Sequence, residues 1–276
     1  MTGSKLESLK PLWEAILKKI PFNQWTNSVY ICWLKNFILF PPEVIPDALE
    51  IIKTMKYKSF NMKKEFKKRK KRNQIQSLKV ILAVKEIIDH LALNLAKIDN
   101  IMYLNKCMHH IWLSNVFLTH IGLPHLFSIF HEYLIDSRIL EAMDEDNYKY
   151  YLKLSSRYQR KCLYYGVEFL KSIHFDRKNF DEIIHKEEEY MDEIKFWSNN
   201  RFLRWLSTYL KIDPILTSVL NSSGICGFII YYQPNETSAY LKDILHQYFD
   251  NEKMHNFILE FENLTRYLYP QKMISQ

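Results

Sequence analysis

Apolar residues recur at helical spacing along nearly the whole chain. Leu6, Leu9, Trp13, Ile16, Leu17 and Ile20 fall on one stripe with lysines between them, which predicts an amphipathic helix ending before Pro21. Trp25, Val29, Trp33 and Phe37 mark a second helix within 23–40, stopped by Pro41 and Pro42. Pro46 suits the first turn of a third, with Asp47 and Glu50 near the positive end of its dipole. That helix runs into a lysine-rich segment. The clearest pattern follows: Ile75, Leu78, Ile81, Leu82, Ile88, Leu91 and Leu95 predict a helix over 74–97, which resumes over 101–120. Gly122 and Pro124 supply a stop and a fresh start, and Leu126, Phe127, Phe130 and Leu134 predict a buried face to residue 140. These three helices, 75–140, are the most apolar part of the chain and predict its core.

The second half reads likewise. Asp144, Glu145 and Asp146 open a long helix over 148–173, and an acidic helix over 176–200 turns Phe180, Ile183, Tyr190, Ile194 and Trp197 inward. A helix over 201–211 closes at Asp213-Pro214. Residues 225–232, ICGFIIYY, are a short apolar run that fits either a strand or a buried helix. Two helices, near 237–249 and 251–269, finish the chain. The expected fold is all-α: an irregular bundle of about nine to eleven helices with one possible short strand near 225–232. Residues 148–173 and 251–269 would pack on the core. The expected organisation is a single domain over 1–276 with an embedded basic segment at 53–72 and a weak boundary near 174–180.

Composition narrows this further. Five glycines and nine prolines in 276 residues are too few turn residues for a β-sandwich or barrel, and too few glycines for phosphate-cradling loops. Cys32, Cys107, Cys162 and Cys226 are scattered without a close pair, so neither a zinc ribbon nor a small disulfide framework is indicated, and reduced, buried thiols are expected. The first residues lack the apolar run of a signal peptide, and the most apolar stretch, 29–40, is too short for a membrane span. Six tryptophans and thirty-five Phe or Tyr exceed what a minimal bundle needs, so part of that surplus is expected at an interface with protein partners in a larger complex.

Charge is what singles out one stretch. Residues 53–72, KTMKYKSFNMKKEFKKRKKR, hold nine lysines, two arginines and one carboxylate, so they carry +10. The whole chain carries +7, so the other 256 residues sum to −3. Such a run neutralises phosphates with release of their counterions, and it also fits a nuclear-localisation address. Lysine predominates, and a compact ammonium holds a backbone without reading bases. The expected nucleic-acid contacts are Lys63, Lys64, Lys67, Lys68, Arg69, Lys70, Lys71 and Arg72. A second stripe, Lys149, Lys153, Arg157, Arg160 and Lys161, would extend the track along the 148–173 helix, with Tyr150, Tyr158 and Tyr165 placed to stack on unpaired bases.

Candidate chemistry is thin. His109, His110, His120, His125 and His131 cluster near Cys107, and Cys107 and His110 could share a metal on a helix, but the remaining spacings do not bring the histidines to one face. Carboxylates at 187–193 lack the paired Glu-x-x-His pattern of a di-metal bundle. No nucleotide-loop, hydrolase or zincin motif is present. The expectation is therefore a non-enzymatic nuclear protein without cofactor or metal. It would contact RNA or DNA electrostatically as a subunit of a ribonucleoprotein or chromatin-associated complex. The alternative is a helical protein-interaction adaptor whose basic run serves only as a nuclear-import signal.

Overall fold

The computed structural model describes residues 3–57, 71–92, 108–186, 194–209, 211–212 and 214–268. Among them the regular structure is entirely helical. In chain order the first helices are α1 (Gly3–Leu17), α2 (Asn27–Asn36), α3 (Ile45–Tyr57) and α4 (Lys71–Ala92). Next comes α5, which runs through His110–Trp112, a π-helical stretch Leu113–Phe117, and Leu118–His120. There follow α6 (Phe127–Tyr133), α7 (Ser137–Ala142), α8 (Glu145–Tyr151), α9 (Arg157–Ser172) and α10 (Arg177–Lys186). The last are α11 (Asn199–Tyr209), α12 (Pro214–Leu220), α13 (Gly227–Tyr232), α14 (Pro234–Leu245) and α15 (Asn251–Leu268).

The all-α class holds, but the described residues contain 15 helices where nine to eleven were expected. Two of the extra breaks, at Leu134 and Lys153, share one backbone feature. Helices end through a residue with positive φ at Lys19, Leu39, Leu134, Lys153, His174 and Lys211, and only once in this set of helix ends, at Gly122, through the expected glycine. At Lys19, Gly122, Leu134 and His174 the next residue's amide reaches back five residues: Ile20 to Ala15, Leu123 to Leu118, Ile135 to Phe130, and Phe175 to Leu170. Each time the backward bond satisfies an orphan carbonyl and tucks in an apolar residue just past the end. The predicted 124–140 helix is thus split at Leu134, and the predicted 148–173 helix at Lys153. Residues 225–232 are not a strand: α13 is helical from Gly227.

A left-handed backbone strains any residue with a Cβ. Lys19 is exposed at φ 51. Lys19→Gly is therefore expected to stabilise the protein by about 0.5–1 kcal/mol, read as a higher denaturant midpoint. A lower midpoint would show that the lysine side chain contributes more than its backbone costs.

The chain divides into two compact units, one comprising Met1–His110 with Ile129–Ala142, the other Ile111–Ser128 with Met143–Gln276. The predicted 75–140 core is therefore not one core, because its residues are shared between the two. Residues 174–180 lie inside the second unit.

In the first unit α1 packs on α2, α2 on α3, α3 on α4, and α4 on α7. Leu12, Ile16, Trp33, Leu34, Ile52, Val80 and Val84 are buried in its core. Phe22, Trp25, Tyr30 and Trp33 form one aromatic cluster, with Phe22 5.0 Å from Trp25 and 5.6 Å from Trp33 between ring centres. Trp25 donates its indole N–H to the Ile20 carbonyl at 3.0 Å, which satisfies its polar edge. The same unit buries a full charge. Lys79 is 0% exposed; its ammonium lies 3.3 Å from Asp136 and donates to the Leu134 carbonyl at 3.1 Å. Arg138 bonds Asp136 at 3.0 Å and Glu86 at 2.5 Å, so the network reaches the surface.

In the second unit α9 packs against α8, α13 and α14, and α14 against α15. Phe180 is its aromatic centre, with Trp112 at 5.0 Å, His120 at 5.4 Å and Phe169 at 6.0 Å. Two glycines permit close approaches. A Cβ on Gly166 would meet the Phe117 ring at 2.9 Å, and one on Gly227 would meet the Ile194 carbonyl oxygen at 1.9 Å.

His120 is buried between Phe180 and Phe228, and burial holds its pKa down to about 4. The unfolded imidazole titrates near 6.5, so below that pH the unfolded chain binds a proton that the folded one refuses. Stability from this group is complete above pH 6.5 and is lost as pH falls toward 4. The loss should approach 2–4 kcal/mol, roughly, for a shift of that size. His120→Leu is expected to flatten the stability profile of the second unit between pH 4 and 6.5. An unchanged slope would refute this assignment.

Candidate interaction surface

The basic segment that dominates the sequence lies mostly outside the described residues: Lys63, Lys64, Lys67, Lys68, Arg69 and Lys70 all fall there. Lys71 and Arg72 begin α4. Cys107 and the carboxylates of 187–193 also lie outside.

The second basic stripe does not exist as one track. Lys149 is on α8, Lys153 sits in the left-handed turn after it, and Arg157 opens α9 behind the N-cap Ser156, so the five cations are not on a common helix. Two of them are already engaged. Arg160 donates to the Leu154 and Ser155 carbonyls at 2.9 and 2.6 Å, and Lys161 pairs with Glu236. Of the tyrosines expected to stack on bases, Tyr150 is 52% exposed, while Tyr158 and Tyr165 pack on other tyrosines. Tyr158 is buried, stacked on Tyr240 at 4.0 Å, with its hydroxyl donated to Thr237 at 3.1 Å. Asp144 of the acidic cluster caps α8, accepting the Asn147 amide at 2.8 Å.

The histidines separate likewise. His110 and His131 are 5.3 Å apart in the first unit, while His120 belongs to the second. Among the described residues no group of three or more His, Cys, Asp or Glu could hold a metal ion. Within the same residues no helix is long and apolar enough to cross a membrane.

What the second unit does present is an aromatic face. On α9 one side buries Cys162, Leu163, Gly166, Val167 and Leu170, which leaves Tyr164 and Tyr165 toward its rim. In α13 Phe228, Ile229 and Ile230 are buried, and the helix ends outward on Tyr231 and Tyr232. Tyr165 and Tyr232 stack at 4.8 Å with 12° between their planes, and Gln233 donates to the Tyr165 hydroxyl at 2.5 Å. Lys195 lays its ammonium over the group, 5.2 Å from the Tyr231 centre and 5.7 Å from that of Tyr232. Tyr164 and Tyr232 remain 38% and 39% exposed. Rigid, amphipathic rings of this kind carry binding energy at protein interfaces, where tyrosine is enriched. The surplus of aromatics hinted at such a face. Its location could not be read, because it joins residues 164–165 to 231–232 through packing between α9 and α13.

This is an all-helical chain with an aromatic face and, among the described residues, no metal-holding cluster. Human liprin-alpha-1 is 28% identical over 197 residues, which cover 70% of this chain and 16% of liprin-alpha-1. Liprin-alpha of Caenorhabditis elegans is 24% identical over 218 residues, 79% of this chain and 19% of that protein. Kazrin-A of Danio rerio is 24% identical over 129 residues, 46% of this chain and 16% of kazrin-A. The chain thus spans under a fifth of the length of these relatives. No family model matches it.

Liprins and kazrins are helical scaffold and adaptor proteins of protein interaction, not enzymes and not nuclear nucleic-acid binders. That finding overturns the expectation of a protein contacting RNA or DNA through Lys63–Arg72 and the 149–161 cations. A lysine run is equally compatible with a folded adaptor, and the 149–161 cations lie on no common helix.

Proposed function

We propose that the chain is a non-enzymatic helical adaptor that binds other proteins through its folded surfaces. The observation that carries this reading is the similarity to liprin-alpha over most of the chain. The tyrosine face on α9 and α13 supports it, as a half-exposed aromatic patch on a packed scaffold. The test is a quantitative comparison of proteins co-purifying with the full chain and with a Tyr164→Ser/Tyr232→Ser variant. Tyr164 and Tyr232 are over a third exposed, so the variant should keep its helicity, with a modest drop in melting temperature from the lost Tyr165–Tyr232 stack. Loss of two interface tyrosines is expected to weaken at least one specific partner by roughly tenfold or more. An unchanged set of partners would remove this face from the proposal.

In the same reading the run Lys67–Arg72 acts as a nuclear-import address. Changing Lys67, Lys68, Arg69, Lys70, Lys71 and Arg72 to Gln is then expected to shift the protein to the cytoplasm while partner binding in extracts survives. Partner loss with unchanged location would instead place the run in the binding surface.

A further inference from the structure

We propose that Cys162 and Cys226 form a disulfide-forming site, oxidised by hydrogen peroxide, that locks α9 to the start of α13. The two sulfurs lie 3.9 Å apart, both side chains are fully buried, and both cysteines are free thiols. Cys162 projects from α9 and donates its thiol to the Ile121 carbonyl at 3.3 Å, while Cys226 is the N-cap of α13. Cys226 makes no side-chain capping bond, so re-aiming its sulfur sacrifices no helix cap. A disulfide needs the sulfurs at about 2.05 Å, which the two side chains approach by turning toward each other from neighbouring elements.

The chemistry balances. One thiol loses its proton and attacks a peroxide oxygen, giving a sulfenic acid and hydroxide, which takes the proton as water. The second sulfur attacks the sulfenic sulfur, the S–S bond forms, and the hydroxyl leaves with the second thiol's proton as another water. Two thiols and one peroxide become one disulfide and two waters, and two electrons pass from sulfur to oxygen.

Burial raises the Cys162 thiol well above its ordinary range, so the closed state is unreactive and oxidation proceeds through local opening. The 221–224 turn, with Gly224 at φ 79, lies beside the pair: a Cβ on Gly224 would sit 3.5 Å from the Cys162 sulfur. Once formed, the bond would close a long loop and tie together the two helices that carry Tyr164, Tyr165, Tyr231 and Tyr232.

The experiment treats the intact, full-length protein with hydrogen peroxide under native conditions, blocks remaining thiols after denaturation, and maps peptides by mass spectrometry. The expected product is a Cys162–Cys226 linked peptide pair, lighter by two hydrogens and reversed by dithiothreitol. Its formation should speed up in sub-denaturing urea and be accompanied by a rise in melting temperature of roughly 5–15 °C. Cys226→Ala should abolish the shift and Cys32→Ala should not. Recovery of both thiols unoxidised, their conversion to sulfinic acid without a linked pair, or linkage to Cys32 or Cys107 instead would overturn the proposal.

Discussion

Gly227→Ala is expected to destabilise the second unit by roughly 4 kcal/mol or more, at the far end of what single substitutions do. The added methyl would meet the Ile194 carbonyl oxygen at 1.9 Å, the Trp197 amide nitrogen at 2.6 Å and the Lys195 carbonyl carbon at 2.7 Å. All three are backbone atoms, so no side chain can swing aside to relieve the clash. The contact is also a bonded one, since the Gly227 amide donates to the Trp197 carbonyl at 2.7 Å. Moving α13 away breaks that bond and draws Phe228, 1% exposed, from its stack on Phe169 at 4.5 Å. It also parts Lys195 from Tyr231 and Tyr232, so the aromatic face is lost with the packing. Urea unfolding followed by hydrogen exchange in α13 checks this. Exchange rates and a midpoint equal to those of the natural protein would mean that the chain accommodates a Cβ there.

Lys79→Met is expected to cost about 3–5 kcal/mol, and so is Asp136→Leu, because each leaves its partner buried without its main counter-charge. The double variant should recover much of that loss. Two apolar side chains remove the stranded charge, while Arg138 keeps Glu86 at the rim. Additive losses in the double variant would show that the two residues do not act as a pair. The pair also sets a pH dependence. Burial works to raise the Asp136 pKa, but the Lys79 and Arg138 charges and the Ile139 amide prevail and hold it below its ordinary value of 3.8. A carboxyl depressed on folding contributes stability that is complete above its unfolded pKa and is lost as pH falls through the folded one. The first unit should therefore lose a stabilising increment below about pH 4 that Lys79→Met/Asp136→Leu lacks. Burial also lowers His110 in this unit to about 4, which adds a separate loss between pH 6.5 and 4. The two windows distinguish the contributions.

Much of the helical content was legible because it rests on local periodicity. The stripes at Leu9, Trp13 and Ile16, and at Ile75, Leu78 and Ile81, predicted α1 and α4, whereas Pro214, expected only to close the preceding helix, opens α12. Helix ends were legible only where glycine or proline marks them. Leu134, Lys153 and His174 carry no such mark, and their left-handed backbone is imposed by the apolar residue that each helix end must bury. ICGFIIYY could not be assigned from its composition, since residues 225–230 are all buried and show no periodicity; in the fold its helical part packs against Ile194–Phe196.

Lys79 illustrates the same limit from the charged side. It falls between Leu78 and Val80 on the helix that follows the lysine-rich run, and in sequence it is one more cation. Only Asp136, fifty-seven residues away, turns it into a buried ion. The tyrosine face has the same origin, for Tyr165 and Tyr232 share no local pattern and meet because α13 can lie against the backbone at Gly227. Helix class, charge imbalance and aromatic surplus thus come from composition and short-range order, which a chain carries whether folded or not. Division into two units, the pairing of Lys79 with Asp136, the meeting of Cys162 and Cys226, and the position of the aromatic face depend on long-range packing, where side chains far apart in the chain compete for the same buried space.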